Sequence, residues 1–278
     1  MSIEVRRLTG AGGAEIFGVD LSKKMSAETW QDVHDALLQH HSIFFPDQQM
    51  SPEHIIAFME RLGTPTVHPY LKTVNKDYPF VHELRKEPTE KDNYGGAWHT
   101  DFTFIEKPVA ANSLYSRITP EFGGDTMFCN LYLAYDALSD GMKKLFDGVR
   151  LLNATGKYLE LVGTTPAARD DAYDTLKNVP PCPHPLFRTI PETGRKCLYV
   201  DPGAAIQFEN MTVAESRPIL DYLVAHLQRP EFQYRYRWRP NVFGVWDNRC
   251  LVHYAVNDYA GQLRVMHRMS VMDRERPR

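Results

Sequence analysis

A mostly antiparallel β-core with helices packed outside it is the fold class predicted by this chain of 278 residues. Three observations lead there. Apolar residues recur with a period of two in many short runs, helical periodicity is confined to a few segments, and strands and helices do not alternate in the regular way that builds a parallel sheet. A hydrophobic fraction of 43% with 24% charged residues lets the chain bury a substantial core, and the length suits one large domain, residues 1–278.

Residues 3–21 read as short strands around Gly10-Ala11-Gly12-Gly13, with Ile16, Val19 and Leu21 as apolar positions. Ser26 then caps a helix reaching about His41, in which Trp30, Val33, Leu37 and Leu38 share helical spacing. Its histidines, His34, His40 and His41, read as surface or packing residues. Ser42-Ile43-Phe44-Phe45 is a strand stopped by Pro46, and Ser51-Pro52 opens a second helix that Gly63 ends. From 64 to 97 the chain is polar and irregular, a loop suited to carrying binding residues. Residues 112–118 and 125–128 are strands around a turn at 120–124, followed by two helical stretches broken near Ser139-Asp140-Gly141. Residues 155–183, rich in Gly, Pro, Thr and Asp, read as a lid or insertion. Thr212-Val213-Ala214-Glu215 is a capping box for a helix ending before Pro230. In Tyr234-Arg235-Tyr236-Arg237-Trp238-Arg239 the aromatics share one face and the arginines a solvated one. Residues 241–246, 250–254 and 264–272 complete the strands.

Composition narrows the function. The net charge is −3 and basic residues form no long block, so a nucleic-acid partner has no electrostatic support and a small molecule is expected. Cys129, Cys182, Cys197 and Cys250 show no C-x-x-C spacing, which suits reduced thiols in the cytoplasm. No apolar run reaches signal-peptide or membrane-span length, so no membrane partner is expected.

The chemistry centres on Gly95-Gly96-Ala97-Trp98-His99-Thr100-Asp101-Phe102-Thr103-Phe104. Residues i and i+2 of a strand share a face, so His99 and Asp101 would converge on one atom. They supply two ligands of the 2-His-1-carboxylate triad, which holds non-haem Fe(II) and leaves the remaining positions open. Alone, the pair is also an ordinary polar spacing, and a second histidine is required. His253, at the end of another predicted strand, is the candidate. Arg264 and Arg268 follow on a single strand face, roughly 13 Å apart. Two inward guanidiniums need anionic partners, either small anions beside a metal or protein carboxylates.

Taken in order, His99-x-Asp101, Gly123-Gly124-Asp125-Thr126, Trp246-Asp247-Asn248-Arg249 with His253, and Arg264-x-x-x-Arg268 resemble the taurine dioxygenase-like family of Fe(II)- and 2-oxoglutarate-dependent oxygenases, from the opening strands to Met272. The resemblance implies a double-stranded β-helix, or jelly-roll, core with His99, Asp101 and His253 on the metal. It implies that Arg264 pairs with the distal carboxylate of 2-oxoglutarate, assisted by Thr126, and that O₂ converts this cosubstrate to succinate and CO₂ while a substrate carbon is hydroxylated. A carboxylate at 101 speaks against a halogenase. Sulfonate-oxidising members hold the substrate anion with a histidine and an arginine, which match His68 and Arg268, so a sulfonate, sulfate ester or carboxylate is expected. Thr155 and Ala204 stand where taurine oxidisers carry phenylalanines, and Gly95 where an asparagine is expected. This implies an anion bulkier than taurine, with Tyr70, Tyr158 and Tyr199 as further candidate lining. Relatives commonly associate, so a homo-oligomer, dimer or tetramer, is expected. An aryloxyalkanoate dioxygenase that splits an ether by hydroxylation is the alternative within the family. A non-enzymatic metal-binding jelly-roll sensor is the alternative from another class, and a zinc hydrolase would leave Arg264 and Thr126 without a role.

Overall fold

The computed structural model describes residues 3–69, 71–156, 159–160 and 171–278. Its strands in chain order are β1 (Glu4–Arg7), β2 (Ala14–Phe17), β3 (Ser42–Phe45), β4 (Thr64–Pro65), β5 (His82–Lys86), β6 (Val109–Ile118), β7 (Thr126–Asn130), β8 (Arg150–Asn153), β9 (Cys182–Pro185), β10 (Phe187–Thr189), β11 (Lys196–Leu198), β12 (Ala205–Phe208), β13 (Gln233–Tyr236), β14 (Phe243–Asp247), β15 (Leu251–Ala255) and β16 (Arg264–Met272). The main sheet runs β1-β2-β3-β14-β6-β16-β4, with β5 beside the first half of β16. A second sheet, β13-β7-β15, faces it.

Aromatic side chains join the two layers. Phe44 of β3 stacks on Tyr236 of β13 with ring centroids 3.5 Å apart, and Trp246 of β14 meets Phe128 of β7 edge to face at 5.7 Å. Such pairs contribute about 0.5–1.5 kcal/mol each beyond the apolar area they bury. These two facing sheets form the expected jelly roll. The helix Ala27–His40 closes the outside of the main sheet: Ser26 accepts the Thr29 N–H, and Val33, Ala36 and Leu37 are buried. The helix Val213–Leu227 begins with the predicted Thr212–Glu215 capping box. No helix among the described residues is long and apolar enough to cross a membrane.

Two expectations need correction. The helix Pro52–Met59 stops at its cap residue Glu60, short of Gly63. Gly63 serves close approach instead, since a Cβ there would lie 2.5 Å from the Met272 carbonyl oxygen. The supposed loop at 64–97 contains β4 and β5. β5 has little apolar character because its inward face is His82, Leu84 and Lys86. The buried ammonium of Lys86 donates to Asn257 Oδ1 at 2.6 Å and lies 4.3 Å from the Tyr259 ring centre. Within 155–183, the segment read as a lid or insertion, Ala172–Leu176 is helical and Cys182 opens β9, paired with β8. Residues 157, 158 and 161–170 of that segment lie outside the described residues, as do Tyr70 and Tyr158.

Two buried histidines set a pH dependence. Burial lowers the pKa of His41 to about 4. It does the same to His184, also to about 4, although the His184 Nε2–H donates to the Ile105 carbonyl. The unfolded chain binds these protons near pH 6.5 and the folded chain does not. Their contribution is therefore complete above pH 6.5 and falls as the pH drops toward 4, by roughly 3 kcal/mol for each group. Urea midpoints should fall over that window, and less steeply in a His41→Asn/His184→Gln variant; an unchanged slope would count against this account.

Candidate metal and cosubstrate site

β15 carries His253 to the edge of the second sheet, where a single antiparallel bridge joins it to His99. The His99 N–H donates to the His253 carbonyl at 3.1 Å, and the His253 N–H returns the bond at 2.8 Å. The predicted strand does not continue to Asp101, because the chain turns there and Phe102 adopts a left-handed φ of 60°. Asn248 holds the carboxylate residue in place instead. Its Oδ1 accepts the Asp101 N–H at 3.0 Å, its Nδ2 donates to the Asp101 carbonyl at 3.2 Å, and the Thr100 hydroxyl donates to its carbonyl at 2.7 Å. The predicted convergence is thus achieved by a side-chain clamp. One ligand atom from each of His99, Asp101 and His253 lies within 4.8 Å of the others.

The donor atoms fit a divalent metal. His99 Nδ1 lies 2.6 Å from the Ala97 carbonyl, which can only accept, so Nδ1 carries the proton and Nε2 offers its lone pair. Asp101 Oδ2 accepts from Asn112 Nδ2 at 2.8 Å and from Arg268 Nη2 at 2.6 Å, whereas Oδ1 and both His253 ring nitrogens have no hydrogen-bond partner among the described residues. Burial would raise the Asp101 pKa, but the Arg268 guanidinium beside it is the leading opposing charge, and the carboxyl is held well below its usual range. Burial, with His99 beside it, keeps His253 neutral. A metal requires these deprotonated forms, and two imidazoles with one carboxylate suit Fe(II).

The lining of the adjoining cavity is basic. Arg264 and Arg268 of β16 line it together with Thr126, Tyr94, Trp246 and Leu114. Arg264 is buried, and its Nε has no hydrogen-bond partner among the described residues. Gly124 makes room for it: at φ 69°, a Cβ there would press on Arg264 Cδ at 3.2 Å and Nε at 3.3 Å. The Gly124 N–H donates to Asp258 Oδ1 at 2.8 Å, and Arg235 pairs with both Asp125 and Asp258. One arginine of the expected solvated face therefore tethers the loop that shapes the Arg264 site.

The family model described as taurine catabolism dioxygenase TauD, TfdA family matches residues 4–270. The chain belongs to this family. It is 32% identical to an alkylsulfatase of Acinetobacter baylyi over 97% of this chain and 84% of that protein. It is 28% identical to an alpha-ketoglutarate-dependent 2,4-dichlorophenoxyacetate dioxygenase of Cupriavidus pinatubonensis, over 98% and 99% of the two chains. The crystal structure of a taurine dioxygenase from Burkholderia xenovorans superposes with a TM-score of 0.81 at 31% identity, covering 98% of this chain and 92% of that one. The protein is thus a 2-oxoglutarate-dependent dioxygenase that uses Fe(II) and O₂.

In this dioxygenase Arg268 faces two ways. It lines the cavity, and its Nη2 also reaches Asn112 Oδ1 at 3.1 Å, besides Asp101. His68 stands one side chain back: its Nε2 is 3.4 Å from the phenol of Tyr94, which lines the cavity, and its backbone N–H donates to His82 Nε2 at 3.2 Å. Burial, followed by the nearby Arg268, keeps His68 neutral, so it offers hydrogen bonding rather than charge. Thr155 is buried with its hydroxyl bonded to the Leu176 carbonyl, next to the backbone contact between Ala154 and Ala204. Tyr199 packs in the core under Arg188. Asn112, Asn248 and Tyr94 have structural or lining roles that the sequence reading did not assign. Asn248 stood within the quoted Trp-Asp-Asn-Arg motif, whereas nothing local to Asn112 marks it.

Proposed function

We propose that this dioxygenase hydroxylates a small organic anion bearing a sulfate ester or sulfonate group, at the carbon next to that group. In this reading His99, Asp101 and His253 hold iron, Arg264 and Thr126 hold the distal carboxylate of 2-oxoglutarate, and Arg268 with His68 holds the substrate anion. The supporting observation is β16, which contributes two arginines to the lining of the cavity beside the triad, while no described lining residue is acidic. Iron, when bound, supplies the O₂ chemistry that couples cosubstrate decarboxylation to C–H oxidation. The protein contributes charge complementarity and a buried, water-poor position. Hydroxylation beside a sulfate ester gives a product that collapses to an aldehyde and sulfate, and beside a sulfonate it releases sulfite.

The likeness to the 2,4-dichlorophenoxyacetate enzyme supports a second reading, in which an aryloxyalkanoate is split to a phenol. Incubation with an alkyl sulfate, an alkanesulfonate and an aryloxyacetate, each with 2-oxoglutarate, separates the two. Sulfate or sulfite release is expected, phenol release alone selects the second reading, and turnover of none of these anions ends the anion-clamp idea.

The same proposal treats the chain as one domain, since neighbouring residues of β3 feed both hydrophobic clusters, Phe44 one and Ile43 with Phe45 the other. It places the enzyme in the cytoplasm, in keeping with its four buried free thiols. A dimer or tetramer completes the reading, and light scattering tests it.

A further inference from the structure

We infer that Trp238 is a positioning residue for the cosubstrate carboxylate, acting through the hydroxyl of Thr126. This rests on the reading that Thr126 and Arg264 hold 2-oxoglutarate. The indole Nε1–H of Trp238 donates to Thr126 Oγ1 at 2.9 Å, and both side chains are buried. An indole nitrogen can only donate, so the threonine oxygen must accept. A hydroxyl has one proton and two lone pairs, and a lone hydroxyl rotor turns to suit its surroundings. With the rear of the oxygen engaged by Trp238, the proton is directed away from the indole.

Thr126 borders the cavity that contains Arg264. Trp238 stands behind it, wedged edge to face against Phe44 at 5.7 Å and Tyr236 at 5.2 Å. The hydroxyl is thereby preset as a donor toward the cavity. A carboxylate, which only accepts, is the group that such a donor beside a guanidinium recognises. The indole thus converts a rotor of either polarity into a fixed donor, saving the ordering cost that binding would otherwise incur.

Anaerobic calorimetric titration of the Fe(II)-loaded protein with 2-oxoglutarate tests this. Trp238→Phe keeps an aromatic ring and removes the N–H, and it is expected to weaken 2-oxoglutarate binding roughly three- to tenfold, with Fe(II) affinity unchanged within about twofold. Thr126→Ser, which retains the hydroxyl, should bind nearly as the parent does. In a Thr126→Val background, Trp238→Phe should have no further effect, because the two groups act as one unit. Trp238→Leu, which also lacks a side-chain donor, is the second variant if Trp238→Phe does not fold. Parent-like affinity in either folded Trp238 variant, or an equal loss with and without the Thr126 hydroxyl, overturns the inference. If Arg264→Ala and Thr126→Val both leave 2-oxoglutarate binding intact, the underlying site assignment fails and the inference falls with it. Loss with Arg264→Ala but not with Trp238→Phe rejects the Trp238 role alone.

Discussion

Replacing Asp101 with alanine should abolish iron binding and also lower the thermal midpoint of the metal-free protein by roughly 10 °C. The second effect does not involve the metal. Asp101 is fully buried against Arg268, with Nη2 to Oδ2 at 2.6 Å, and removing the carboxylate takes away this ion pair while the guanidinium stays buried. Breaking a buried pair from one side costs about 3–5 kcal/mol, whereas replacing both members with apolar groups is often neutral. An Asp101→Ala/Arg268→Met variant should therefore recover most of the lost stability without recovering iron. Chelator competition measures the metal and calorimetry the midpoint. If Asp101→Ala proved as stable as the parent, the ion pair described here would not hold in solution.

Replacing Arg264 with alanine should act in the opposite sense. Among the described residues Arg264 forms no ion pair, and burial, opposed by Tyr259 and Asp125, lowers its pKa. Removing it should leave the metal-free fold as stable as before, or slightly more so. Binding of 2-oxoglutarate should suffer severely, because truncating one member of a buried charge pair costs about 2–5 kcal/mol, roughly 30- to 4,000-fold in affinity. Anaerobic titration of the visible charge-transfer band of the iron-loaded protein gives the dissociation constant, and chelator competition gives iron affinity. Unaltered 2-oxoglutarate binding in Arg264→Ala would remove this arginine from the cosubstrate site.

Much of the site was legible because its parts depend on local spacing. His99 and Asp101 are two residues apart, Arg264 and Arg268 are four apart on a strand whose bounds, Arg264–Met272, are those predicted, and Gly123-Gly124 marks a turn. The remainder depends on partners distant in the chain. Asn112 links Asp101, Asn248, Arg268 and Ser270, but its own strand neighbours, Ala111 and Ser113, carry no sign of that role. Trp238 read as one aromatic in an alternating strand, and only the fold sets it behind Thr126. β5 was missed because tertiary pairing with β16 overrides a polar sequence. Even His99 and Asp101 converge for a reason that alternation does not supply, since the chain turns after the His99 bridge and Asn248 completes the geometry.

If Arg268 holds the substrate anion, as proposed, the arrangement around Asp101 makes iron and substrate reciprocal effectors. Its Oδ2 balances Arg268 while Oδ1 is available to a metal, so one carboxylate answers to two cations. A dication on the first oxygen draws on the charge that neutralises the arginine on the second, and Arg268 then favours an outside anion more strongly. Linkage requires the converse: a substrate anion on Arg268 tightens iron by the same factor, commonly about 5- to 150-fold for such coupling. On that reading the metal-free protein should grip its substrate weakly, so that substrate accumulates on molecules already equipped to oxidise it.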